Sequence, residues 1–148
     1  MQTFLAYPDF TQSAKVLDRQ RLGKQRVEAK QILQTIMDPS RGWQHHPAVS
    51  MWRGYTRQLA QYGAAICREW IDRGYNDSLL PFFIEIQDAV SSDTSLPSWI
   101  GNPAFHASHR SNLLRKDSLY YSQFGWGEPP DLPYVWPSKI DAISPLSS

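Results

Sequence analysis

Apolar residues recur at helical spacing in two long stretches of the chain. Trp52, Tyr55, Leu59, Tyr62, Ile66 and Trp70 follow one another at intervals of three and four, the period of a helix with one buried face. Pro47 is suited to the first position of that helix, where its missing N–H costs nothing, and Gly74 supplies the stop. Unbroken, residues 47–73 would extend about 40 Å at about 1.5 Å per residue. Gly54 and Gly63 are points where such a helix could kink or admit a close neighbour. The spacing makes this segment the expected spine of the core.

The other stretch begins near Asp9 or Thr11, either of which can cap a helix N-terminus, and runs towards Met37. It does not read as one uniform amphipathic helix. Phe10, Ala14 and Leu17 form a short apolar stripe, and Ala29, Ile32, Leu33 and Ile36 form a second one. Between them Asp18 to Lys30, DRQRLGKQRVEAK, is polar on nearly every face, with Gly23 as a weak point. A helix that polar must be exposed or must face a polar cavity.

Beyond Gly74 the pattern is shorter in range. A turn at GYND precedes PFFIEIQDAV, which suits a brief helix, and the polar loop SSDTS follows. Asn102-Pro103 repeats the cap-plus-proline signature and opens HASHRSNLLRKD, with Leu113 and Leu114 on its buried side. A turn or two of helix at YYSQF comes next. From Gly127 the proline-rich tail is expected to be extended and to wrap the surface through Tyr134 and Trp136. No segment reads as a convincing strand. The fold class is therefore all-α: a compact single domain of about three main helices with irregular loops, residues 1–126, and an extended tail, residues 127–148, packed on it.

Composition narrows the function. Aromatic residues make up 13% of the 148 residues, an excess that often marks flat surfaces for stacking. The single cysteine, Cys67, rules out an internal disulfide framework and a cysteine-rich zinc site and fits a reducing, cytoplasmic setting. No run approaches the roughly 18 apolar residues of a membrane span, so no membrane partner is expected, and the protein is expected to be a monomer. The net charge of +1 conceals an uneven division. Residues 1–30 carry six Lys/Arg against three Asp/Glu, whereas residues 61–100 carry two against six.

Three constellations have the residue types that chemistry needs. On a helix, Arg21, Lys24, Gln25 and Glu28 fall at spacings of three and four and share a face, with Arg19, Arg26 and Lys30 widening the positive field. One carboxylate among cations can bind phosphates through the Arg and Lys groups and hold an acid for proton transfer or for stabilising a developing cation. A solvated face with an ordinary Lys24–Glu28 pair is the other reading. In HASHRSNLLRK, His106, His109 and Arg110 lie on one side of a helix, and Arg115 and Lys116 extend the charge. Two histidines three apart could ligate a metal, but no acidic or cysteine partner stands nearby, so phosphate contact or simple satisfaction of the helix C-terminus are the alternatives. In Trp43-Gln44-His45-His46-Pro47, His46 either caps the following helix or points with Trp43 into a site. Tyr120, Tyr121, Phe124 and Trp126 fit either base stacking beside a phosphate track or core packing.

Taken together, MQTFLAYPDF, LDRQRLGKQRVEAKQIL, HHPAVSMWRGY and HASHRSNLLRK resemble the pyrimidine dimer DNA glycosylase family, the phage endonuclease V type and above all its bacterial relatives, across roughly residues 1–126. The resemblance implies a small helical enzyme that flips a nucleotide out of the duplex, attacks the sugar C1′ of a damaged pyrimidine with an N-terminal amine, and cleaves the backbone through a Schiff base. It implies Glu28 as the catalytic glutamate, Arg21, Gln25 and Arg26 as phosphate-contacting or site-shaping residues, Arg110 and Lys116 as a late basic pair, and Tyr121 as part of an aromatic C-terminal motif; the residue pattern itself adds Arg19, His46, His106 and His109 as candidate DNA contacts. Gln2 is bulky and is expected to leave Met1 in place, so the nucleophile is expected to be the amine of Met1, with Lys24 as the second candidate. α-Amines as a class titrate below lysine side chains and are partly neutral near pH 7. The expected partner is double-stranded DNA, damaged or modified, and no cofactor or metal is called for. A nucleic-acid-binding module without catalysis and an enzyme acting on a free nucleoside or nucleotide are the readings from other classes.

Overall fold

The computed structural model describes residues 1–90 and 96–137. Its helices are α1 (Phe10–Lys15), α2 (Arg19–Met37), α3 (Pro47–Ser50), α4 (Thr56–Asp72), α5 (Leu80–Ala89), α6 (Pro103–Lys116) and α7 (Ser118–Tyr121), followed by a 3-10 turn, Ser122–Phe124. Among the described residues there is no strand, so the fold is all-α. The three longest helices, α2, α4 and α6, are the main ones. The loop expected at SSDTS, residues 91–95, and the last part of the expected tail, residues 138–148, lie outside the described residues.

The two long helices expected from the pattern are each divided, for reasons that the chain shows locally. The first breaks at Asp18, whose extended backbone and side chain cap α2 at the Arg21 N–H, and not at the weak point Gly23. There α2 continues, because Gly23 is a point of close approach. A Cβ at this position would lie 2.9 Å from the Trp70 ring of α4. The second breaks between α3 and α4 at Gly54, which has φ +88°, a left-handed conformation that glycine adopts without steric cost. Gly63 admits a neighbour as expected, since Phe83 of α5 sits where a Cβ would be.

Helix α4 is the spine, packing against α1, α2 and α5. Its buried side carries Leu59, Tyr62, Ile66 and Cys67. Trp52 and Trp99 meet at right angles with ring centres 4.8 Å apart, and Trp99 continues to Phe105 of α6. Residues 3–6, Thr-Phe-Leu-Ala, are buried in the middle of this core although they form no helix or strand. The segment 127–137 lies on α6. Leu132 C=O accepts from Asn112, and the Val135 N–H donates to Ser108 Oγ.

Candidate functional site

A buried segment without regular structure leaves its N–H and C=O groups in need of partners, and here side chains from three helices provide them. The Gln2 C=O accepts from Gln25 Nε2 at 2.7 Å, and the Phe4 N–H donates to the Tyr62 hydroxyl at 3.1 Å. The Tyr62 hydroxyl in turn donates to Gln25 Oε1 at 2.6 Å, which fixes the orientation of that amide. The Leu5 N–H donates to His109 Nδ1 at 2.9 Å. On the other edge, the Leu5 C=O accepts from His106 Nδ1 at 2.8 Å. Because His106 Nε2 accepts from the Gly101 N–H, the proton of this ring belongs on Nδ1. Finally, Arg110 Nη1 donates to the Ala6 C=O at 2.7 Å. The chain end is therefore clamped, residue by residue, across the face of α2.

The clamp has an electrostatic condition. Burial, with the nearby charges of His106 and Arg110, pushes the His109 pKa down to about 3, and burial also lowers that of His106. Both rings are neutral at physiological pH, the form in which His109 Nδ1 can accept. The Tyr62 hydroxyl, moved up by burial, stays protonated.

Where the clamped segment leaves the core, the Gln2 N–H donates to Glu28 Oε2 at 2.7 Å. This contact borders a cavity of about 360 Å³ lined by Gln2, Phe4, Gln20, Arg21, Lys24, Gln25, Glu28, Lys116 and Tyr134. Arg21, Lys24, Gln25 and Glu28 thus share a face, as the spacing predicts, and Lys116 arrives from the end of α6. Glu28 is mostly covered, whereas Lys24, 73% exposed, lies 3.9 Å from its other oxygen, Oε1. Arg21 is turned partly to Asp18 at 3.2 Å. Tyr134 adds an aromatic wall, its hydroxyl pKa pushed up to about 12 by burial. The arrangement offers one acid, three cations and an open mouth, which suits an anionic ligand with a reacting centre at the acid.

Other residues singled out from the sequence are placed differently. Arg26 turns away from the cavity, pairs with the fully covered side chain of Asp77 at 2.6 Å and lies over the Trp70 ring. Arg19 is exposed beside a shallow depression at Trp70. His106, His109 and Arg110 face inward to the N-terminal segment, and Arg110 also pairs with Glu128. Among the described residues no cluster of three or more His, Cys, Asp or Glu could hold a metal. Tyr121 is fully buried and its hydroxyl donates to Asp18, while Trp126 stacks on it and Phe124 stacks on Trp126 as packing. His46 does cap α3, Nδ1 accepting from the Ala48 N–H at 3.0 Å. It also lines a second cavity, with Met1 and Trp43. Burial lowers the His46 pKa, and the positive α-amine of Met1 lowers it further.

The N-terminal segment is the feature that helical periodicity misses. Its signal in the sequence is the apolar run Thr3–Ala6, too short for a helix and followed by Pro8. Its partners Tyr62, His106 and His109 become legible only once three helices surround it.

A family model for pyrimidine dimer DNA glycosylase matches residues 1–80, the part of the chain that contains the N-terminal segment, α2 with Glu28, and α4. No curated protein and no solved structure matches the chain.

Proposed function

The chain belongs to the pyrimidine dimer DNA glycosylase family, and on that premise we propose that it excises a pyrimidine from duplex DNA with an N-terminal amine as nucleophile and Glu28 as the assisting carboxylate. The observation that carries the proposal is the contact of the Gln2 N–H with Glu28 Oε2 at 2.7 Å, at the mouth of a cationic cavity. It holds the first residues of the chain against one carboxylate, with the α-amine of Met1 one residue away.

In this reading the neutral α-amine attacks C1′ of an extruded nucleotide, and the glycosidic bond breaks with its electron pair going to the base, which takes up a proton. Glu28 stabilises positive charge developing on the sugar and receives the proton that the amine loses. Opening of the sugar ring leaves an imine between C1′ and the amine. Loss of a proton from C2′ then expels the 3′ phosphate, and water releases the product. Arg21, Lys24 and Lys116 hold phosphates on either side of the reacting sugar, and Lys24 is the alternative amine.

Borohydride trapping on a duplex with a cyclobutane pyrimidine dimer or a preformed abasic site tests the proposal. A covalent adduct is expected, lost when the N-terminal amine is acetylated and retained in Lys24→Ala. An adduct that survives acetylation and disappears in Lys24→Ala would move the nucleophile to Lys24. Salt-sensitive DNA binding with no adduct, and with no effect of Glu28→Gln, would leave a binding module. Displacement of duplex by mononucleotide at equal concentration would favour a nucleotide enzyme.

A further inference from the structure

The face of α2 that carries Glu28 continues past it. Arg21, Lys24, Glu28, Gln31 and Thr35 follow at spacings of three and four and line two cavities, one on each side of the N-terminus. The stripe spans about 21 Å, the rise of about six nucleotides of a strand. The second cavity, about 510 Å³, is lined by Met1, Gln31, Thr35, Arg41, Gly42, Trp43 and His46. The proposed reaction uses the first cavity for phosphate and leaves the second unassigned.

Three observations give the second cavity a chemistry. First, Trp43 is 72% exposed, its ring in a T-shaped arrangement with His46 at a centre distance of 6.0 Å. Second, Trp43 has φ +67°, a conformation that a bulky residue keeps only when its surroundings impose it. Those surroundings are visible. Gln44 Nε2 reaches the carbonyls of Thr35, Asp38 and Arg41. Arg53 Nη2 donates to the Gln44 C=O at 2.8 Å, and the His46 N–H donates to the Trp43 C=O at 3.0 Å. The loop is braced by polar bonds, yet the largest apolar side chain in it is turned to solvent. Third, the side chains of Gln31 and Arg41, both exposed, make no hydrogen bond to another described residue. They present a carboxamide and a guanidinium at the rim, the guanidinium near enough to Asp38 to act on its charge.

We infer that the Trp43 cavity is a nucleobase subsite, in which one planar base out of the duplex stacks on the indole while Gln31 and Arg41 meet its polar edge. An exposed indole on a braced loop favours a flat π system as its ligand. The position fixes which base. Met1 lines this cavity, its α-amine close enough to His46 to act on that ring's charge, and the cations Arg21, Lys24 and Lys116 line the other cavity together with Glu28. A nucleotide whose C1′ sits at the amine therefore has its base directed to Trp43. The inference rests on the proposed function in taking DNA as the ligand.

The test compares two duplexes of the same sequence, one with a single mispaired pyrimidine, which is cheap to extrude, and one with tetrahydrofuran, a baseless sugar, in its place. Binding is read by fluorescence anisotropy at fixed salt for the wild type, Trp43→Ala and Trp43→Phe. Trp43→Ala is expected to weaken the mispaired duplex by about 10- to 100-fold and the tetrahydrofuran duplex by less than about threefold. Trp43→Phe should recover most of the loss. Borohydride trapping at a preformed abasic site, which has no base to stack, should fall in Trp43→Ala by no more than binding of the tetrahydrofuran duplex does. Equal losses on both duplexes, or none on the mispaired one, would overturn the subsite. Failure of the wild type to trap strikes the amine mechanism instead and leaves the binding comparison to decide the subsite.

Discussion

Two helices carry the polar clusters that stand out in the sequence, and the fold uses them in opposite ways. On α2, Arg21, Lys24 and Glu28 open into a cavity and leave charge available. On α6, His106, His109 and Arg110 turn inward and spend their hydrogen-bonding capacity on the backbone of Leu5 and Ala6. The second cluster is nonetheless tied to the first. By clamping residues 5 and 6 it fixes where Gln2 meets Glu28, so α6 supports the N-terminal segment beside the cavity. Similar residue types thus become an open charged face in one helix and a clamp on buried backbone in the other. The deciding quantity is burial: a desolvated histidine is held neutral and becomes a specific acceptor or donor.

This contrast can be broken or sharpened by experiment. The largest effect is expected from Glu28→Gln on the open face, which should lower base excision by about 10²- to 10⁴-fold with little change in melting temperature. An equal loss of stability would place Glu28 among the structural groups. On the inward face, His109→Ala leaves the Leu5 N–H without its acceptor and should cost about 1–3 kcal/mol of stability, read by urea unfolding. Activity should then recover in part with the neutral acceptor of His109→Gln.

The same buried ring sets a pH dependence. The folded-state pKa of His109, about 3, lies below the ordinary histidine value of about 6.5. Between those values the unfolded chain binds the extra proton. Stability is therefore complete above about pH 6.5 and falls as pH drops towards 3, by up to about 1.4 kcal/mol per pH unit. Urea midpoints at pH 7 and pH 5 check this, and His109→Gln should flatten the slope. The smallest effect separates the two faces by their salt response. Lys24→Ala should reduce the slope of log binding constant against log salt by about one. Arg110→Ala should leave that slope unchanged and lower the melting temperature, since Glu128 and the Ala6 carbonyl lose their partner.

Much of the fold is legible from local rules. The proline at 47, the Asn102-Pro103 cap, the stop at Gly74 and the apolar stripe from Leu59 to Ile66 all act within one helix, where spacing and capping chemistry decide. Gly23 misleads because a glycine in a polar helix reads the same whether it weakens the helix or lets Trp70 approach, and only the neighbouring helix tells which. Arg26 has the same ambiguity. Its spacing fits the cationic face, yet Asp77, far along the chain, draws it to the other side of α2.

The sequence by itself determined the helical class, the ends of most helices and the grouping of Arg21, Lys24, Gln25 and Glu28, because these follow from periodicity within about seven residues. Tertiary structure alone decided that residues 3–6 run through the core, that the α6 histidines hold them there, and that Trp43 stands out beside Met1. Each of these depends on groups distant in sequence competing for the same buried hydrogen bonds, and no local pattern records the outcome of that competition.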